Sequence, residues 1–172
     1  MHRLLNALGF QLGWWACVAG VGHGLEIPAL MFCSALVIAH LFYTENPAQE
    51  IKLAMWALCL GIVTDSALQY FSVIDFYGWS LGALSPFWLW TLWLMFAMTL
   101  NASLSFLKEK PIVLSALAGL VFGPLTYMAG AKLGAAAFDG SALHILTLAV
   151  TWMLALPAMV FIAKQLNRPH QP

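Results

Sequence analysis

The sequence predicts an all-α integral membrane protein, a bundle of about six transmembrane helices forming one domain over residues 1–172. Hydrophobic residues make up 62% of the chain and charged residues only 8%, whereas soluble domains carry roughly 25% charged residues. Six apolar stretches approach the roughly 20 residues that a helix needs to cross a bilayer. The few Lys and Arg residues lie near the ends of these stretches, as expected for a multi-pass protein.

Helix-breaking and polar residues separate the spans. Pro28 lies in the first turn of the second span, where the missing N–H of proline is tolerated, and Pro86 opens the fourth. Charged segment 108–111 divides the fourth span from the fifth, and segment 138–141 divides the fifth from the sixth. The predicted spans are 4–22, 27–43, 53–73, 86–107, 112–132 and 143–163.

The cations predict that both termini face the cytoplasm. Short cytoplasmic loops retain Lys and Arg, and with six spans one side receives both termini and two loops. That side holds six of the seven cations, and the other holds only Lys132. The six are Arg3, Lys52, Lys108, Lys110, Lys164 and Arg168. We therefore expect an N-in, C-in protein of the bacterial inner (cytoplasmic) membrane.

Composition also limits the partners and cofactors. The formal net charge is zero, so no basic surface is available for nucleic acid. The three cysteines lie in apolar runs without a CxxC pair, and the five histidines form no HxxxH or HxH pattern. We predict no metal site, no cofactor and free thiols, with membrane lipids as the expected partners.

Aromatic residues cluster near the predicted outer surface, where an interfacial belt explains them. Trp88, Trp90 and Trp93 follow an apolar loop at 74–85 that could lie along the membrane surface. A stacking platform for a flat ligand is the alternative interpretation.

Asp65 is the first candidate for a functional residue, because ionisable groups inside a membrane are costly. It follows Lys52 by 13 residues, which is about 20 Å along a helix. Gly61, Asp65, Gln69 and Ser72 recur on one face of the third helix. Asp65 could act as a proton acceptor, cation ligand or general base, or it could be a hydrogen-bonded packing residue, and Gln69 extends the same polar stripe.

The fourth and fifth helices supply three further candidate ligand-binding residues. Asn101 is predicted within the fourth helix, nearer the cytoplasm than Asp65, where it could hydrogen-bond between helices. Tyr127 lies below the kink expected at Pro124 and could line a cavity. Lys132 lies about 32 Å from Pro111 along a straight helix, so it either extends to the lipid headgroups or turns inward.

Small residues on the fifth helix predict close helix packing. Ser115, Gly119 and Gly123 form one seam, and Gly130 and Gly134 a second. Seams of this kind support packing within the chain, and they offer interfaces for a homo-oligomer.

Polar residues stand at particular places within the apolar helices, in the segments Asn6, Phe10–Trp14, Thr64–Ser66, Pro86–Trp90, Thr99–Ser103, Gly123–Tyr127 and Gly130–Gly134. In these segments the chain resembles an uncharacterised family of bacterial inner-membrane proteins, a domain of unknown function that occupies nearly the whole chain. The resemblance implies a lipid-related role, because members are associated with lipid-modification genes of the cyclopropane-fatty-acid-synthase type. It supplies no catalytic residue.

Three functions fit these observations. The favoured one is an accessory or binding protein for a lipid or other amphiphile that uses a polar site inside the membrane. The second is a small proton-coupled transporter using Asp65, although no internal repeat is visible. The third is an integral lipid-modifying enzyme, although spacing alone assembles no nucleophile and base. In each case the expected site lies between the third, fourth and fifth helices.

Overall fold

The computed structural model describes residues 3–167, which contain six α-helices. Five of them, all except the fourth, are long and apolar enough to cross a membrane. The predicted all-α membrane bundle is therefore confirmed. Arg168, one of the predicted cytoplasmic cations, lies outside the described residues. The helices are α1 (Arg3–Gly22), α2 (Glu26–Tyr43), α3 (Pro47–Tyr70), α4 (Phe87–Leu100), α5 (Ile112–Lys132) and α6 (Ala142–Leu166).

Helix α3 is longer at its start than the sequence predicts. It begins at Pro47 instead of residue 53, because proline fits the first turn of a helix and Glu50 N–H bonds back to Asn46 O at 3.2 Å. It ends at Tyr70 instead of residue 73, just before Ser72 adopts a left-handed φ of 53°. The prediction followed the apolar segment alone and missed the polar first turns.

Helix α4 is shorter than predicted. The expected span 86–107 is helical only over Phe87–Leu100, and these 14 residues cover about 21 Å, less than the hydrocarbon thickness of a bilayer. Polar side chains end the helix by offering the backbone other partners, since Ser103 donates from both its N–H and its hydroxyl to Asn6 Oδ1. The chain continues through turns into a short 3₁₀ helix, Ser105–Lys108.

Polar contacts hold the helix ends together at what we call the cation end of the bundle. The hydroxyl of Ser103 lies 2.6 Å from Asn6 Oδ1 on α1. Asn101, which caps the C-terminus of α4, accepts hydrogen bonds from Lys108 Nζ and Asn167 Nδ2, each at 2.7 Å. The described cations other than Lys132 belong to the segments that meet here.

The opposite end, which we call the ribbon end, carries an ordered cap. Strand β1 (Asp75–Phe76) pairs antiparallel with β2 (Ala136–Ala137). The buried carboxylate of Glu26 accepts the backbone N–H of Trp79 at 2.9 and 3.1 Å. The 71–86 connection is therefore tied to α2 and to the α5–α6 connection.

The start of α6 at this end is set by local hydrogen bonds. Ser141 caps the helix by accepting the backbone N–H of His144. Asp139 Oδ1 accepts the backbone N–H of Ser141 at 3.0 Å and pairs with His144 Nδ1 at 2.8 Å. The Ser141 and His144 hydrogen bonds hold the pKa of Asp139 below its ordinary value, since they favour the charged carboxylate.

Candidate site beside the groove between α1 and α5

Asp65 lies fully buried where α3, α4 and α5 meet. Its side chain is 0% exposed, and each carboxyl oxygen accepts one hydrogen bond. Trp93 Nε1 on α4 donates to Oδ2 at 2.8 Å, and the Tyr127 hydroxyl on α5 donates to Oδ1 at 2.5 Å. A single carboxyl group on α3 therefore fixes one aromatic side chain on each of the two neighbouring helices.

Glycines make room for these aromatic rings. A Cβ on Gly61, one turn before Asp65, would overlap the Trp93 indole, so this glycine lets the ring lie flat against α3. Trp93 stacks on Trp152 of α6 with centroids 5.0 Å apart and planes 11° apart. Trp152 in turn occupies the space beside Gly119 and Gly123, where a Cβ would overlap its carbonyl or its ring. The Gly119–Gly123 seam is thus a packing surface for α6 within the chain.

The aromatic wall borders a groove of about 530 Å³ between α1 and α5. Trp93, Tyr127 and Trp152 line it, whereas Asp65 lies behind them and does not. Phe122 and Leu125, exposed at 66% and 53%, line the groove from the α5 side. Its volume falls within the roughly 300–1,000 Å³ of small-molecule sites.

The groove extends along much of the bundle. At the ribbon end its lining includes Phe76 and Ala136, and at the cation end it includes Leu107 of the 3₁₀ helix. The ends of α1 and α5 approach each other at the ribbon end, where Gly22 packs against the Leu133 carbonyl. The groove therefore has a covered end and a long apolar wall.

Comparisons with known proteins identify the family. A family model described as a protein of unknown function, DUF2878, matches residues 3–158. This chain belongs to the DUF2878 family. The resemblance to a domain of unknown function covering nearly the whole chain is thus confirmed. No curated protein and no solved structure matches the chain.

The structure brings two of the five candidate residues of this DUF2878 chain together and separates the other three. Asp65 and Tyr127 form one hydrogen-bonded unit. Asn101 belongs to the polar cluster at the cation end, because α4 stops there and does not carry it into the membrane. Lys132 is the last residue of α5 and is exposed, with no ion pair inside residues 3–167, so it does not turn inward to Asp65.

Gln69 lies one turn beyond Asp65 on α3, as the polar stripe predicts. Its side-chain oxygen is buried and accepts no hydrogen bond from the described residues. It does not line the groove. Contact of Gln69 and the other four candidate residues with a ligand stays a prediction.

Sequence reasoning missed the two indoles that complete the site. Trp93 was assigned with Trp88 to an interfacial belt, but both are only 4% exposed and lie within the bundle. No polar motif marks Trp152, so the predicted site between the third, fourth and fifth helices does not include α6. The Gly119–Gly123 seam was the available signal, because such a seam lets another helix approach closely.

The second predicted seam is different. A Cβ on Gly130 would meet nothing within 4 Å, and Gly130 lines the groove. Gly134 has a left-handed φ of 85° and lies in the turn after α5. This pair therefore forms open groove wall and a turn within the chain, and no helix packs on it. Association of copies through either seam stays a prediction.

Proposed function

We propose that this protein is a multi-pass protein of the bacterial inner membrane, with both termini cytoplasmic, that binds a lipid or other amphiphile in the groove between α1 and α5. The groove itself is the observation that carries the proposal. It is about 530 Å³ in volume, and its lining contains no Asp, Glu, Lys, Arg or His among the described residues.

Its chemistry favours an apolar occupant. Burial of an apolar chain contributes about 0.8 kcal/mol per CH₂ group, and the lining offers few polar groups to bind anything else. Gln11 and Thr126 are among those few, and Thr126 already donates its hydroxyl hydrogen to the Phe122 carbonyl. The occupant would therefore be held by its apolar portion.

The position of Asp65 favours binding over proton-coupled transport or acid–base catalysis. Both of its oxygens are occupied by Trp93 and Tyr127, and it lies behind the groove wall. A general base or an ion carrier must reach its substrate within hydrogen-bonding distance. In this arrangement Asp65 is a positioning residue for two wall-forming side chains.

Two glycines allow a matched test. Gly130→Leu would extend a side chain into the groove, and Gly9→Leu on α1 is the control because its Cβ also meets nothing within 4 Å and it does not line the groove. We expect native mass spectrometry to detect a bound lipid in wild type and in Gly9→Leu, and to detect its loss in Gly130→Leu. A wild-type protein that releases all lipid and takes up no added fluorescent fatty-acyl probe would refute the proposal.

A further inference from the structure

Three sulfur atoms lie together in the core where α1, α2 and α4 pack. The Sγ atoms of Cys17 on α1 and Cys33 on α2 are 3.4 Å apart, and both side chains are 0% exposed. Met95 on α4 is buried in the same place, because a Cβ on Gly13 would lie 2.8 Å from its Sδ and 3.3 Å from Cys33 Sγ. Two thiols and a thioether therefore gather beside one turn of α1, and Gly13 leaves room for them.

The donor atoms of this cluster are soft, and their number limits the metals they can hold. Thiolates and thioethers select Cu(I), zinc or iron–sulfur clusters. Structural zinc sites and iron–sulfur clusters take about four ligands, drawn from Cys, His and carboxylate side chains. Among residues 3–167 not even three such side chains group as a metal site. Two thiols with a thioether therefore fit Cu(I) best.

The spacing of the two thiols is compatible with a shared ion. A metal–thiolate bond is about 2.3 Å long for zinc, so two sulfurs can share one ion only if they lie closer than about twice that length. The distance of 3.4 Å between Cys17 and Cys33 meets this limit. The hydrogen bond between the thiols does not compete with an ion, because a thiol that binds a metal gives up its hydrogen.

A second cavity reaches this cluster from the cation end. It has a volume of about 460 Å³ and extends from Tyr43, the last residue of α2, to Met95, with Met98 and His40 also in its lining. His40 is 6% exposed, and neither ring nitrogen makes a hydrogen bond within residues 3–167, although Nε2 lies 3.5 Å from Glu50 Oε2. Thioether and imidazole groups both suit copper, so the cavity offers an entry path with ligands along it.

We infer that Cys17, Cys33 and Met95 form a binding site for one Cu(I) ion. Binding involves no electron transfer: each thiol that coordinates exchanges its S–H bond for a Cu–S bond, and its proton passes to the solvent. The charge of the ion offsets thiolate charge that an apolar core could not hold alone. None of the three residues lines the groove between α1 and α5, so the inference is independent of the proposed function and goes beyond it.

The inference departs from the prediction of no metal site. That prediction considered ligands close together in the sequence, such as a CxxC pair. Here the three sulfurs come from three different helices, and only the packing of α1, α2 and α4 brings them together.

Competition for Cu(I) between the reduced, purified full chain in detergent and a chromophoric Cu(I) chelator tests the inference. The variants are Cys17→Ser, Cys33→Ser and Met95→Leu, which remove one sulfur at nearly constant volume. Cys59→Ser is the matched control, because Cys59 is a free, exposed cysteine. Changing even an outer-shell partner of a metal costs about 10–100-fold in affinity. We therefore expect one tightly bound ion in wild type and in Cys59→Ser, and affinity lower by about tenfold or more in the other three variants.

Each other outcome counts against a stated part of the inference. A wild type that takes up no Cu(I), or uptake that only Cys59→Ser abolishes, overturns the site. Tighter binding of Zn²⁺ than of Cu(I) overturns the choice of ion, and an unchanged affinity in Met95→Leu overturns the thioether ligand. If the serine variants do not fold, X-ray absorption of Cu(I)-loaded wild type replaces them: we expect sulfur neighbours alone, and a shell of oxygen or nitrogen neighbours would overturn the site.

Discussion

Removing the Tyr127 hydroxyl gives the sharpest test of the Asp65 hydrogen-bond unit. Tyr127→Phe leaves the ring in place and deprives Asp65 Oδ1 of the donor at 2.5 Å. An acceptor left unsatisfied in a protein interior costs about 1–3 kcal/mol, whereas hydrogen bonds between membrane helices contribute about 0.6 kcal/mol on average and at most about 1.7. Because Asp65 is fully buried, we expect the upper part of the membrane range, a loss of about 1–1.7 kcal/mol in the free energy of unfolding.

The control is a tyrosine whose hydroxyl is free of such a role. Tyr70→Phe removes the same atom from a side chain that is 79% exposed, and it should change stability by less than about 0.5 kcal/mol. Equilibrium unfolding by SDS in mixed detergent micelles measures both variants. Equal stabilities of Tyr127→Phe and Tyr70→Phe would refute the conclusion that the Asp65 unit holds α3 and α5 together.

Substitutions at Asp65 extend the same reasoning. In Asp65→Asn the remaining oxygen can accept from Trp93, and the new amide can donate to the Tyr127 oxygen, since a hydroxyl both donates and accepts. Asp65→Leu leaves both partners unpaired. We therefore expect Leu to destabilise the protein by about 1–3 kcal/mol more than Asn. The reverse order would show that the hydrogen bonds do not determine the role of Asp65.

Three further predictions test packing, pH dependence and orientation. Gly119→Ala should destabilise the protein by about 1–3 kcal/mol, because the added Cβ would overlap α6. Gly130→Ala should stabilise it by about 0.4–1 kcal/mol, because the space beside Gly130 is open. Thermal unfolding in detergent compares the two variants. The folded-state pKa of Asp139 lies below its ordinary value, so its stabilising contribution is present at neutral pH and is lost as the pH falls through the folded-state pKa. The protection of amides at the start of α6 against hydrogen exchange, relative to their intrinsic exchange rate at each pH, should therefore fall with acid in wild type and not in Asp139→Asn. Green fluorescent protein fused to the C-terminus of this chain should fluoresce, whereas alkaline phosphatase fused there should be inactive. The opposite result would reverse the predicted orientation.

The sequence was sufficient to place a hydrogen-bonded unit around Asp65 between the third, fourth and fifth helices, because a carboxyl group inside an apolar helix must find donors nearby. Asp65 and Tyr127 meet there as that argument requires. The sequence did not predict the position of Asn101, because the predicted fourth helix continues without interruption to residue 107. The helix stops at Leu100, where hydroxyl and amide side chains compete for the backbone.

The contribution of Trp152 could not be predicted, because it depends on which helix packs against the glycines of α5. A small-residue seam shows that some helix approaches closely and does not specify which one. In the structure the partner is α6, and a face-to-face contact of 5.0 Å between Trp93 and Trp152 follows from that choice. Contacts of this kind depend on the relative rotation of whole helices, which one-dimensional periodicity does not contain.

The presence of a carboxyl group at position 65 itself bears on function. Replacing a buried polar group together with its partners by apolar residues of similar volume is often neutral or stabilising, so packing alone does not require a cluster of Asp65, Trp93 and Tyr127 there. An apolar residue cannot supply hydrogen bonds of fixed direction, whereas the two oxygens of Asp65 hold the indole N–H of Trp93 at 2.8 Å and the hydroxyl of Tyr127 at 2.5 Å. Both rings belong to the groove wall. Asp65 therefore sets the positions of two side chains of that wall, which an apolar residue of similar volume at position 65 would not hold.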